Sequence, residues 1–368
     1  MEPHSPVRRK PSQARRARAA SHLPQPQTPE THAAALLAVR KFMKSYTPYD
    51  VFPVSFKQIV IDTQLEVKKA LQALLQNGNV SAPLWNSEKN QFAGLFTVLD
   101  IIHLIQYYYA TATSMDSAVS DVEHFRLEAI RDIERAINVP PPPLISVHPL
   151  ESLYEACRMM LQTHAHRLPL IDKDSQTSDP LVLSVLTQYR VLKFIAANCR
   201  DTSHLHMSLR TLGIGAYVQP GVKLDDPHWP LATATMDTTV FDVVHMFSAR
   251  GISAVPIVDS NGKVINLYET VDVITLVRNG AYQHLDLTIS EALSHRSADF
   301  PGVITCTGRD SLGALMFLLR QRRVHRLVVV EGEEVEESRR GRLVGIISLS
   351  DVLKYLVGPI EGGALQEK

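Results

Sequence analysis

The chain has 368 residues, too many for one small domain and enough for two ordinary ones. Hydrophobic residues make up 45% and charged residues 21%, the balance of a folded chain with a sizeable core. Lys and Arg (38) cancel Asp and Glu (38), so net charge gives no argument for nucleic acid or an acidic membrane as a partner.

Residues 1–32 carry Arg8, Arg9, Lys10, Arg15, Arg16 and Arg18 among Pro, Gln, Ser and Ala. Such a stretch cannot bury enough apolar surface to order itself and is predicted to be a disordered tail, a targeting or phosphorylation-controlled arm being the functional alternative. It lacks the apolar stretch of a secretory signal. Over 33–50 a helix is predicted, with Val39, Phe42, Met43 and Tyr46 at i, i+3, i+4, i+7 and Pro48 ending it.

Beyond residue 50 the chain repeats itself. Four helical stretches share one apolar phase: Val67, Ala70, Leu71, Leu74, Leu75; Leu153, Ala156, Cys157, Met160, Leu161; Val240, Val243, Val244, Phe247; and Leu312, Leu315, Met316, Leu319. A short strand follows each, Ser81 to Trp85, Arg167 to Ile171, Ala254 to Val258 and Arg326 to Val330. Pro83, Pro169 and Pro256 share one register, which predicts edge or strand-start positions. After a polar turn comes a second strand, Phe92 to Val98, Leu181 to Leu186, Val264 to Tyr268 and Leu343 to Ser348. Each unit closes with a helix opened by Asp100, Arg190, Asp272 or Asp351.

The unit is thus helix, strand, strand, helix with an extended lead-in, about 60 residues long and too small to bury its faces alone, so units should pair. The repeats are predicted at 51–110, 144–198, 227–281 and 282–360, with linkers at 111–143 and 199–226 and a flexible tail at 361–368. The run Pro140 to Pro143 is stiff and suits a boundary within the first module. The most apolar run, Leu95 to Ala110, is broken by Asp100, His103 and Gln106 and is too short to span a bilayer. Cys157, Cys199 and Cys306 are sparse, odd in number and free of any C-x-x-C pair. They predict neither a disulfide framework nor a zinc ribbon, and a reducing, intracellular setting.

The closing Asp invites two readings that are compatible. It can be a helix N-cap, or a carboxylate accepting from the cis-diol of a ribose. Arg190 can do neither. His166-Arg167 and His325-Arg326 stand before the first strands of repeats two and four: solvated charges at a strand start, or a planar fork and a ring donor for phosphate. In a flat ring of paired repeats they would converge near the centre. No G-x-S-x-G elbow, Walker loop or H-E-x-x-H motif is present, so no enzyme activity is predicted. His164-Ala165-His166 and His204-Leu205-His206 lack evident carboxylate or Cys partners for a metal.

The unit resembles the cystathionine-β-synthase-type (CBS) repeat. Four in tandem resemble the gamma subunits of AMP-activated protein kinase in their fungal form. The strings that carry this include Val67-Lys68-Lys69-Ala70, Ala82-Pro83-Leu84-Trp85, His166-Arg167-Leu168-Pro169, His295-Arg296-Ser297, His325-Arg326-Leu327 and Gly345 to Asp351. The resemblance covers about residues 36 to 358. It implies an α/β (α+β) repeat fold of two paired modules in a flat disc with pseudo-twofold symmetry. It also implies a non-catalytic regulatory subunit that takes AMP, ADP or ATP, works with a catalytic kinase alpha subunit and a scaffold beta subunit, uses no further cofactor, and resides in cytoplasm and nucleus.

By the same resemblance the repeat-four site uses Asp351, Ser350, Ser348, Arg326, His325, Ser253 and Ala254. Arg167, His166 and Arg296 serve phosphate, Asp272 closes the repeat-three site, and Asp100 and Thr97 the repeat-one site. Leu99 stands where the family has Thr, Glu269 where it has Ser, Tyr189 where Lys is common, and a basic residue expected near Val80 is absent. Fewer occupied sites than in animal relatives are therefore expected, and a scaffold with incidental nucleotide binding, or a stress-response regulator, is the competing reading.

Overall fold

The computed structural model describes residues 28–52, 57–111, 125–176, 179–218, 230–278, 286–296, 300, 302–331 and 341–359. The basic tail up to residue 27, the tail at 361–368 and the hairpin tip at 332–340 lie outside these residues. Helix α1 spans Pro29–Ser45 and begins four residues before the predicted start. Thr28 is the reason: its Oγ1 accepts the Thr31 N–H (3.3 Å), and Pro29 fills a first-turn position whose missing donor costs nothing. The helix buries Ala35, Val39 and Met43, while Tyr46 is its C-cap.

The four predicted stripes all face inward, on α2 (Val67–Gln76), α5 (Leu153–Gln162), α7 (Val240–Arg250) and α10 (Leu312–Gln321). In α7 the three valines are weak helix formers, by a few tenths of a kcal/mol each. Burial of Val240, Val243, Val244 and Phe247 at about 1.5–3 kcal/mol per side chain outweighs that. Ser152, Thr239 and Ser311 cap α5, α7 and α10, each hydroxyl accepting an N–H three residues on. Glu66 makes no such bond, and the Val67 N–H donates instead to the Phe125 carbonyl at 2.8 Å.

Two antiparallel strands follow each of these helices. They are β2 (Ser81–Asn86) with β3 (Gln91–Thr97), β4 (Arg167–Lys173) with β5 (Pro180–Thr187), β7 (Ala254–Val258) with β8 (Val264–Glu269), and β10 (Arg326–Glu331) with β11 (Arg342–Ser348). A lead-in runs parallel to the first strand every time. Strand β1 (Ile61–Asp62) pairs with Leu84 and Trp85, Val147 bridges Leu170, Ala234 bridges Ile257, and β9 (Thr305–Cys306) pairs with Val328 and Val329.

Pro83 is therefore not at an edge, as predicted, but inside the middle strand β2, whereas Pro169 and Pro256 stand on two-stranded sheets whose open side meets the lead-in at a single bridge. The carbonyls of Pro169 and Pro256 accept from Val147 and Ala234, so the missing N–H of each faces the same, lead-in side, where pairing is only a residue or two long. Repeat four has Val328 at this register, and its N–H donates to Ile304 at 2.9 Å.

The closing helices are α3 (Val98–Thr111), α6 (Gln188–Asn198), α8 (Thr270–Arg278) and α11 (Leu349–Val357), each starting two residues before the residue predicted to open it. Part of the predicted 111–143 linker is ordered: a 3-10 turn at Leu127–Ala129 leads into α4 (Ile130–Ala136), and Leu127, Ile130 and Ile133 are buried. Pro140 to Pro143 stay exposed and irregular.

The repeats form a ring in the order one, two, four, three. Sheet faces meet between one and two, where Asn90 bonds Asp179. They meet again between three and four, where Ala254, Val264 and Leu267 pack on Val328 and Leu343. The two large cores cross those pairs. One joins the helices of repeats one and three, and the other joins those of two and four. Helix α1 seals the second core, with Arg40 Nε on the Leu356 carbonyl (2.8 Å) and His32 on the Tyr355 hydroxyl (2.9 Å).

Candidate functional site

The closing residue of each repeat sits in the first turn of the last helix, at the third helical position rather than at the N-cap. In α11 the N-cap is Ser348, whose Oγ accepts the Asp351 N–H. Asp351 Oδ2 in return accepts the Ser348 N–H (2.8 Å) and its Oγ (2.6 Å), a capping box. Asp100 Oδ2 does the same for Thr97 N (2.6 Å) and Oγ1 (2.7 Å). Asp272 Oδ2 accepts the Glu269 N–H at 2.8 Å. In repeat two Thr187 Oγ1 caps the Arg190 N–H (3.2 Å) and no carboxylate answers. The capping half of the sequence reading is thus corrected by three positions.

The second oxygen separates the repeats. Arg131 of α4 donates to Asp100 Oδ1 (2.9 Å), to Glu134 (2.7 Å) and to the Leu95 carbonyl (3.2 Å). Arg296 donates to Asp272 Oδ1 (2.8 Å) and Oδ2 (2.5 Å) and to the Leu267 carbonyl (2.7 Å). Leu95 and Leu267 both lie five positions before their Asp. Arg190 reaches the equivalent carbonyl, Val185, from its own helix at 3.2 Å. A guanidinium thus covers this spot in three repeats. In repeat four the matching residue, Ile346, is instead paired by β6 (Ala216–Tyr217). Among the described residues no side chain bonds Asp351 Oδ1, and Asp351 is half-exposed while Asp100 is 4% exposed. Burial pushes the Asp100 pKa up against the pull of Arg131.

Repeats two and four bring their basic residues together. His166 Nδ1 lies 3.4 Å from Ser350 Oγ, which also donates to Gln188 at 2.9 Å. The ring of Tyr189 lies tilted against that of His325, centroids 5.4 Å apart, and Arg323 Nε donates to His325 Nε2 at 3.0 Å. His166, Arg323 and His325 have water-accessible surface. Surrounding protein nonetheless desolvates His325, and with Arg323, Arg326 and Arg167 it lowers the His325 pKa to about 4. Accessible and crowded at once, these groups line a hollow rather than a convex face. Arg167 and Arg190 have pKa values lowered by desolvation first and by Arg323 second.

Arg326 reaches the other way, into repeat three. It donates to the Ser253 carbonyl (2.7 Å) and Oγ (3.2 Å) and pairs with Glu269 at 3.0 Å. Burial raises the Glu269 pKa, and Arg326 partly offsets it. Ala254, next to Ser253, is 9% exposed.

Of the predicted site residues, His166, Ser350 and His325, with Arg167 close in charge, gather around the two–four hollow, and Arg326 links it to Ser253. Ser348 and Asp351 form the adjoining helix start. Arg296 is spent on Asp272, and Thr97 on Asp100. The sequence reading missed Arg131, Glu134, Gln188 and Arg323. Only the spacing of Leu127, Ile130 and Ile133 hinted at the helix that carries the first two. Among the described residues no group of three or more His, Cys, Asp or Glu is placed to hold a metal, and no helix is long and apolar enough to cross a membrane.

The family model for the CBS domain matches residues 131–197, 224–279 and 298–358. Over 323 residues the chain is 45% identical to the 5'-AMP-activated protein kinase subunit gamma of Saccharomyces cerevisiae, covering 88% of this chain and 94% of that protein. It is 44% identical to the Kluyveromyces lactis subunit of the same name (88% and 92%) and 35% identical to human subunit gamma-3 (86% and 60%). A solved Methanocaldococcus jannaschii protein, described as an archaeal homolog of the gamma subunit, superposes with a TM-score of 0.61 at 17% identity, over 84% of this chain and 99% of that one.

Proposed function

Because this chain belongs to the family of AMP-activated protein kinase gamma subunits, in its fungal form, and is thereby a non-catalytic regulatory subunit, we propose that it senses one adenine nucleotide at the repeat-four cleft. AMP, ADP and ATP compete there, and occupancy is passed to a catalytic alpha subunit through a complex that a beta subunit scaffolds, in cytoplasm and nucleus.

The observation that carries this reading is the uncovered Oδ1 of Asp351 beside the basic hollow. A carboxylate oxygen not engaged by a cation can accept from both hydroxyls of a ribose. Ser348 and Ser350 flank it. Arg326, His325, Arg167 and His166 supply the positive potential that a phosphate chain needs. AMP and ATP differ in the charge they bring to that hollow, so they can favour different arrangements of the complex. That difference in affinity is what makes a nucleotide a signal. The arginines on Asp100 and Asp272 favour a second reading, a scaffold whose nucleotide is incidental.

Calorimetric titration of the assembled complex with AMP and MgATP, beside an Asp351→Ala, Arg326→Ala double variant, decides between them. Saturable binding near one nucleotide per chain, lost in the variant, supports the sensor. A native, assembled complex that binds neither nucleotide leaves the scaffold.

A further inference from the structure

Resting on that reading, we propose that Glu269 is a built-in competitor for phosphate at Arg326, a specificity-determining residue that sets how strongly the cleft responds to ligand charge.

Glu269 occupies the N-cap position of its closing helix. The other three repeats place a short hydroxyl there, Thr97, Thr187 and Ser348; those of Thr187 and Ser348 accept the N–H three residues on, and that of Thr97 donates to Asp100. Glutamate is a poor cap, and a lost cap costs about 1 kcal/mol. Its carboxylate instead leaves its own repeat and pairs at 3.0 Å with Arg326 of repeat four. A local rule broken at one copy of a fourfold pattern points to a role beyond the helix.

The charges nearby sharpen the assignment. Asp272 is bonded by Arg296, and Glu269 is the carboxylate in direct contact with Arg326, Asp272 and Arg296 acting on that pair only at longer range. In the two–four hollow, His166, Arg167, Arg323 and His325 have no carboxylate partner among the described residues. Arg326 alone of that set carries a carboxylate, and its remaining bonds go to Ser253. An incoming phosphate must therefore displace Glu269 from the guanidinium or sit beside a like charge. Adenosine, which brings no charge, meets neither obstacle. The obstacle grows from AMP to ATP.

The test is titration of the assembled complex with adenosine, AMP and ATP, in native form and with Glu269→Gln and Glu269→Ser. The serine variant restores the short hydroxyl and should melt no lower than the native chain, so loss of fold is kept apart from change of site. Expected is about tenfold tighter AMP binding in both variants, about 1.4 kcal/mol, a larger gain for ATP, and no gain for adenosine. Unchanged or weaker AMP binding in folded variants overturns the proposal, because Glu269 would then be positioning Arg326. If neither native nor variant complexes bind any of the three ligands, the repeat-four site itself is wrong.

Discussion

Replacing the closing Asp by Ala should have opposite consequences in repeats one and four. Asp351→Ala removes the acceptor half of a capping box on a half-exposed residue, a cost of about 1 kcal/mol in stability. It also removes the acceptor proposed for two ribose hydroxyls. Hydrogen bonds to a charged group are worth about 1.5–3 kcal/mol each, so affinity should fall by more than about a hundredfold. Asp100→Ala breaks a buried ion pair and strands Arg131, which costs about 3–5 kcal/mol. Arg131 keeps Glu134 at 2.7 Å and is 24% exposed, which places the loss at the low end, near 3 kcal/mol. Urea unfolding with and without AMP reads both effects. At about a hundred times Kd, ligand should stabilise a binding-competent chain by about 2.7 kcal/mol. The native chain and Asp100→Ala should show that shift, and Asp351→Ala should not. Equal stability losses in the two variants, or a ligand shift that survives in Asp351→Ala and vanishes in Asp100→Ala, would refute the argument that arginine cover distinguishes the sites.

Three further outcomes follow from the geometry. His325 has a pKa near 4 in the folded chain against 6.5 when unfolded, so the unfolded state binds more protons between those values; stability is full above about pH 6.5 and falls as pH drops toward 4. His325→Gln should flatten that dependence in urea unfolding. The Tyr268 hydroxyl is buried without a partner among the described residues, so Tyr268→Phe should leave stability unchanged or raise it by about 1 kcal/mol in thermal melts, whereas a clear loss would mean that a water bridges it. Val328→Pro should cost only its one bond to Ile304, about 1–2 kcal/mol, because the same register already accommodates Pro83, Pro169 and Pro256; a loss above about 3 kcal/mol would show that repeat four uses its lead-in differently.

The helical stripes could be read from sequence because a 3.6-residue period states which face is buried, and every stripe from Val67 to Leu319 obeyed it. The period does not say what covers that face. The joining of repeat one to three and of two to four was therefore invisible until the chain was folded. Helix starts were misplaced by two to four residues because caps such as Thr28 and Ser348 lie outside the apolar pattern. Pro83 misled because a lead-in of two residues leaves no alternation to detect, yet it turns an edge strand into a middle one. At the site, the carboxylates were found through their recurrence. The arginine that pairs with Asp100 stands 31 positions away in a stretch that reads as linker, and only tertiary structure puts it there. Glu269 was noticed as an odd residue, but its partner Arg326 belongs to the next repeat.

The crossing of the cores also shapes how the chain must fold. Repeats one and two are made first during synthesis, yet the helices of each are buried against a repeat that emerges later. Neither half of the polypeptide can close its own interior, and the contacts that complete it have large sequence separation. High contact order of this kind makes for slow folding and for a long interval in which apolar helix faces stay open to aggregation. A nascent chain ending before α11 would lack Leu353 and Leu356, which complete the second core. Co-expression with chaperones, rather than separate production of two halves, follows as the practical route to the intact ring.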